Sequence, residues 1–161
     1  MNPKIAISFW KQLAVKMSTA TSGIWNLHNI YCGIPEITAE TSEAFIPQMV
    51  NLEIIGGVNF QKGCYPGQEV VARTHYLGKP NRRMYRVEIS DTDAVIPGVN
   101  IFVKDDEIQP VGKVVTAQKI SESSLTALVV LRTEKENEEN LHLRSISGPN
   151  ITLSTLPYPI N

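Results

Sequence analysis

The sequence predicts an α+β protein, a helix-rich stretch followed by a small antiparallel β domain. Three observations predict it. Ahead of Leu77-Gly78-Lys79-Pro80, apolar residues recur at helical spacing. Beyond that point they come in short alternating or β-branched runs. Clusters of Gly, Pro, Asp and Ser separate those runs. The change of pattern divides the chain into residues 1–79 and 80–161.

From Lys4 to Met17, Ile5, Phe9, Trp10, Leu13, Ala14 and Met17 share one helical face, and Asn2-Pro3 suits a cap and first turn. Trp10 and Trp25 are expected to anchor a core or a domain interface. A second, short helix is expected over Ile24–Tyr31, stopped by Gly33 and Pro35, with Cys32 packed at its end. A third begins at Pro47, carries Met49, Val50, Leu52 and Ile55, and stops at Gly56-Gly57. Gly57-Val58-Asn59-Phe60 reads as a short strand and Gln68–Leu77 as a helix. Six strands follow, over Met84–Ile89, Val99–Val103, Val111–Ala117, Leu125–Leu131, Leu141–Ile146 and Ile151–Leu156. They suit a barrel or a sandwich, and the barrel is the expected architecture. Glu134–Asn140 reads as a solvated hairpin tip. Helices with so little sheet of their own would expose apolar faces, an invitation to self-association.

Composition narrows the function classes. The chain has 161 residues, 42% of them hydrophobic, enough for a real core. A net charge of −1 gives no general reason to bind DNA or an anionic membrane. No apolar run approaches the ~18 residues of a spanning helix, and the first residues lack a signal-peptide pattern. Two cysteines, Cys32 and Cys64, cannot form a four-cysteine iron–sulfur site or a Cys-x-x-Cys pair. His28, His75 and His142 have no metal-ligand spacing, so no metal site is expected. Free thiols in a reducing cytoplasm are the simplest reading.

The most informative run is Phe60-Gln61-Lys62-Gly63-Cys64-Tyr65-Pro66-Gly67-Gln68-Glu69. A strand-to-helix turn here would set Cys64 close to a helix amino end, where unpaired amides and the helix dipole favour an anion. Lys62 adds a positive charge, so Cys64 is a candidate reactive thiol. Gly63 and Gly67 allow unusual torsions or close approaches. Tyr65 can pack its ring and offer its hydroxyl, and Gln68 and Glu69 can contact a ligand or simply fix the loop. Arg73 either pairs with Glu69 across one helical turn or joins Lys79, Arg82 and Arg83 in a basic patch facing a phosphate or a polyglutamate tail. The plain alternatives stay open: a buried structural cysteine, a turn that needs its glycines, and a solvated basic linker.

Ordered pieces of the chain resemble the carboxy-terminal portion of the YgfZ-type folate-binding family, relatives of the glycine-cleavage T protein (aminomethyltransferase). They are Gly33-Ile34-Pro35, Phe45-Ile46-Pro47-Gln48, Asn51-Leu52, Gly57-Val58-Asn59-Phe60, Lys62-Gly63-Cys64-Tyr65-Pro66-Gly67-Gln68-Glu69, Ala72-Arg73, Gly112-Lys113-Val114-Val115 and Leu156-Pro157-Tyr158. The Cys-Tyr form of the turn favours the YgfZ branch. The resemblance implies a helical segment from a truncated T-protein-like folate-binding fold, then the barrel. It implies tetrahydrofolate as ligand, with a pocket left incomplete because family members extend further at the amino end. It also implies a cytoplasmic factor with no defined catalytic reaction. Such a factor supports iron–sulfur enzymes or their assembly proteins, including the enzyme that methylthiolates tRNA. The competing readings are a folate-dependent aminomethyltransferase and a non-catalytic binding module.

Overall fold

The computed structural model describes residues 2–63, 66–90, 93, 95–104, 109–135 and 140–160. It contains three α-helices, α1 (Pro3–Ala14), α2 (Ser22–Tyr31) and α3 (Glu69–Leu77). Six strands follow, β1 (Arg82–Ile89), β2 (Asn100–Val103), β3 (Gly112–Ser121), β4 (Ser124–Arg132), β5 (Leu141–Leu143) and β6 (Asn150–Ser154). The strands close into a barrel in the order β1-β4-β3-β2-β5-β6, with β6 paired back to β1. Every pairing is antiparallel. The protein is therefore α+β with a closed barrel.

The alternating runs form the barrel because one side of each strand faces a shared interior. Val87 and Ile89 of β1, Ile101 and Val103 of β2, Val114 of β3, and Leu125, Ala127, Val129 and Leu131 of β4 meet inside. β4 is buried without interruption from Leu125 to Leu131 because its other face is covered too. There Leu128 and Val130 join Met84, Val115, Ile30 of α2 and Val50 in a second cluster. A bulge between Val114 and Thr116 inserts Val115 into β3 and turns it outward to that cluster. The barrel's outer wall thus supplies the sheet on which α2 lies.

Several expected elements differ. The stretch from Pro47 is a 3₁₀ turn, Pro47–Val50, followed by turns. Asn51 ends it in the left-handed region (φ 58°), a conformation that stops a helix. Residues 57–59 form no strand, because the Gly57 N–H closes a turn on the Leu52 carbonyl at 2.6 Å. β5 stops at Leu143, since Arg144 takes φ 69° and leaves the ladder. The segment after β4 is not a hairpin tip: β4 lies between β1 and β3, and β5 between β2 and β6, so the chain crosses the barrel there. It opens with a 3₁₀ turn, Thr133–Lys135; residues 136–139 lie outside the described residues.

Neither tryptophan enters a core. Trp10 is 61% and Trp25 67% exposed, and no residue of α1 is buried. The capped α1 is a helix by local signals alone: Asn2 Oδ1 accepts from the Lys4 N–H at 3.0 Å, and Pro3 opens the first turn. No helix among the described residues is long and apolar enough to cross a membrane.

Candidate functional site

The site is built from the turn that precedes α3, and its foundation is a set of buried polar residues. Gln48 in the 3₁₀ turn donates from Nε2 to the Val71 carbonyl of α3 at 2.7 Å. Arg83 of β1 donates from Nη1 to the Gln48 carbonyl at 3.0 Å and pairs with the Glu53 carboxylate. Asn51 reaches Met84 of β1 with both ends of its amide, donating to the Met84 carbonyl at 2.8 Å and accepting from its N–H at 3.4 Å. These bonds fasten α3 to the 3₁₀ turn and the turn to the barrel. They also satisfy polar groups that would be costly to bury alone.

Two of the ordered sequence pieces meet each other through Tyr158 and Gly33. Tyr158 donates its hydroxyl proton to the Gly33 carbonyl at 2.8 Å. Gly33 has φ +66°, and a Cβ there would sit 2.6 Å from the Tyr158 oxygen. Only glycine meets both demands. Burial pushes the Tyr158 pKa above its usual value, while a hydrogen bond with Asn51 pulls the other way. The chain's end is thereby tied to the loop after α2.

The motif itself lies at the rim of a cavity of about 530 Å³, lined by Lys62, Gly63 and Gln68 together with Pro47, Leu52 and Val58. Gln68 is the N-cap residue of α3 and is buried, and its carbonyl accepts from the Ala72 N–H at 2.9 Å. Glu69 opens the first helical turn, where an acid suits the dipole. Lys62, Gly63, Gly67, Glu69 and Arg73 are exposed. Gly67 takes φ +89°, so its glycine is required by torsion, while a Cβ on Gly67 or Gly63 would meet nothing within 4 Å among the described residues. Phe60 stacks on His75 with ring centroids 3.6 Å apart and planes 7° from parallel. That contact clamps the start of the turn against the far end of α3. Cys64 and Tyr65, the two central motif positions, lie outside the described residues.

The basic patch divides. Arg73 and Lys79 are exposed, but Arg83 is 7% exposed and committed to Gln48 and Glu53. It is a structural cation because its strand position directs it under the 3₁₀ turn. Lys79 borders a second cavity of about 550 Å³, together with Gln48, Glu53, His75 and Arg83. Gln48 Oε1 and Glu53 Oε2 are buried without a hydrogen-bond partner among the described residues. Among those residues no group of three or more His, Cys, Asp or Glu side chains could hold a metal ion. Cys32, half-buried at the end of α2, sits 3.6 Å from His28 Nε2.

Sequence reasoning assigned no role to Gln48 or Asn51, and it placed Arg83 in a basic patch rather than beneath the turn. The available signal was two amides three residues apart within an apolar stretch, Pro47-Gln48-Met49-Val50-Asn51-Leu52. Buried amides need partners, and here the partners are backbone groups of α3 and β1.

No protein-family model matches the chain. Individual proteins do. It is 35% identical over 139 residues to the tRNA-modifying protein YgfZ of Photorhabdus laumondii, covering 85% of this chain and 42% of that protein. It is 33% identical over 139 residues to the protein of the same name from Klebsiella pneumoniae, covering 84% and 42%. With that of Pectobacterium atrosepticum it shares 30% over 161 residues, 99% of this chain and 48% of the relative. The chain thus spans less than half the length of these curated relatives.

Proposed function

This chain belongs to the YgfZ-type family, and from that membership we propose that it acts in tRNA modification, by sustaining iron–sulfur enzymes that methylthiolate tRNA. Cys64 is the reactive thiol of that role, tetrahydrofolate its ligand, and the cytoplasm its place of action. One observation carries the reading. Lys62, Gly63 and Gln68 line one cavity, on a turn fastened to the barrel through Val71, Gln48 and Arg83. Cys64 is the next residue in the chain after Gly63. A thiol near Lys62 and the amino end of α3 gains thiolate character from the cation and from the unpaired amides.

The second cavity supports the ligand. Gln48 and Glu53 line it, and a side-chain amide with a carboxylate suits a donor-rich ring edge such as the aminopyrimidine of a pterin. Lys79 at the same cavity suits the carboxylates of a glutamate tail. Tetrahydrofolate would supply a one-carbon carrier, and the chain's own residues bind and orient it. Titration with a polyglutamylated tetrahydrofolate, followed by tryptophan and tyrosine quenching, tests the ligand. Saturable binding that weakens several-fold in Lys79→Ala is expected, and a flat titration removes folate from the reading. Deleting the gene tests the function. The methylthiolated adenosine of cellular tRNA, measured by nucleoside mass spectrometry, should fall, and an unchanged content overturns the role.

A further inference from the structure

Arg82 and Arg132 occupy directly opposite positions in the β1–β4 ladder. Side chains so placed share one face and approach closely, and like charges there are destabilising. Arg82 has the same parity as Met84, and Arg132 the same as Leu128 and Val130, so both guanidinium groups lie on the outer wall, beyond the second hydrophobic cluster. They line a cleft of about 260 Å³ with Asn81, Thr133 and Glu134. The walls of the cleft are joined by the Thr133 N–H bond to the Asn81 carbonyl at 3.0 Å.

Among the described residues this pair has a single carboxylate partner, Glu134 on Arg132. Arg82 has no hydrogen-bond or ion-pair partner there. Arg132 Nη2 donates to Gln109 Oε1 at 3.3 Å, a neutral acceptor. The carboxylate paired with Arg132 among the described residues, Glu134, stands off at 3.9 Å and is 69% exposed, a geometry that contributes little and is easily displaced. Burial first, and the facing Arg132 second, lower the Arg82 pKa. Two facing guanidinium forks that share one long, largely exposed carboxylate contact match one ligand chemistry best, a tetrahedral oxyanion that accepts from both.

We propose that the Arg82–Arg132 cleft is a binding site for a phosphate oxyanion, donated by an RNA backbone or by a small phosphate-bearing molecule. The site lies on the barrel's outer wall and rests on no part of the thiol or folate reading. The Asn81 amide and the Thr133 hydroxyl, at the same cleft, are available donors for the remaining phosphate oxygens.

The test uses the arginine Nε resonances in ¹⁵N-labelled protein, with inorganic phosphate titrated at constant ionic strength against chloride. Saturable shifts at Arg82 and Arg132 are expected, with affinity at least tenfold weaker in Arg82→Gln and in Arg132→Gln. Shifts that stay linear, or that chloride reproduces, overturn the site. Both variants should melt no lower than wild type without phosphate, because each removes one of two facing cations; a lower melting temperature in both also overturns it. A second arm measures binding of an RNA stem-loop across salt concentrations. A salt slope that falls by about 0.7–0.9 in Arg82→Gln assigns the site to a backbone phosphate. An unchanged slope alongside retained phosphate binding supports the site and assigns it to a small phosphate-bearing molecule.

Discussion

Replacing Arg83 by alanine should loosen the joint between the motif turn and the barrel more than any exposed substitution. Arg83 is almost fully buried, donates to the Gln48 carbonyl and pairs with Glu53. Among the described residues, removing its guanidinium leaves the Glu53 carboxylate with no paired cation, and its Oε2 already lacks a partner there. The Gln48 carbonyl loses its donor as well. Removing one member of a buried ion pair costs about 3–5 kcal/mol, much of it the penalty of stranding the other charge. An unsatisfied carbonyl falls within that sum at about 1–3 kcal/mol. With a urea dependence of about 2 kcal/mol per molar, the unfolding midpoint should drop by about 1.5–2.5 M. The double variant Arg83→Met, Glu53→Leu removes both charges together and should recover most of the loss. Hydrogen exchange in α3 should quicken in the single variant, because Gln48 holds the Val71 carbonyl. A single-variant loss under about 1 kcal/mol, or a double variant no better than the single, would refute the idea that this pair carries the joint.

Three further outcomes follow from the same contacts. Gly33→Ala should lower stability by about 1–2 kcal/mol from its left-handed backbone alone. It should lose more by displacing Tyr158, 2.6 Å from the added carbon, and thermal melts of Gly33→Ala and Tyr158→Phe would show whether the losses overlap. Tyr158→Phe should itself cost about 0.5–1.5 kcal/mol for the hydrogen bond to Gly33. It should also change the alkaline limb. The folded pKa of Tyr158 is raised, so above the unfolded value near 10 the native state holds the proton that the unfolded state has lost. Wild-type stability should therefore fall as pH rises through that window, more steeply than in Tyr158→Phe, and parallel limbs would contradict the assignment. Gly67→Ala should cost about 1 kcal/mol from torsion, with no steric addition, since a Cβ there meets nothing within 4 Å among the described residues. A loss of several kcal/mol would mean that the turn is packed rather than open.

The barrel was legible in the sequence because its segments are short and alternating or β-branched, as an enclosed interior imposes, and because turn residues mark the gaps. β4 was the hardest to orient. Its apolar run from Ala127 to Leu131 fits burial on both faces, and the packing of Ile30 and Val50 against its outer side accounts for it. Helices α2 and α3 were legible from spacing and stop signals. The helix expected after Pro47 was not, since Asn51 favours a left-handed turn there in order to place its amide on Met84. A long-range partner of that kind leaves no local trace. The fate of α1 was equally hidden. Its periodicity predicts a helix correctly, but periodicity does not say what covers the apolar face, and Trp10 stands exposed. In the candidate site, the Lys62–Glu69 string announced the turn, and Gln68, Glu69 and Gly67 take positions that their residue types suit. The network of Gln48, Asn51 and Arg83 beneath it depends on residues 23 to 35 positions apart. No window of sequence brings those residues together.

The most direct test of the central claim is complementation in cells lacking this gene, with wild type or Cys64→Ala, followed by quantification of methylthiolated adenosine in their tRNA. Wild type should restore the modified nucleoside, and a Cys64→Ala protein that accumulates and melts normally should leave it depleted. Full restoration by that variant would show that the role does not run through the thiol.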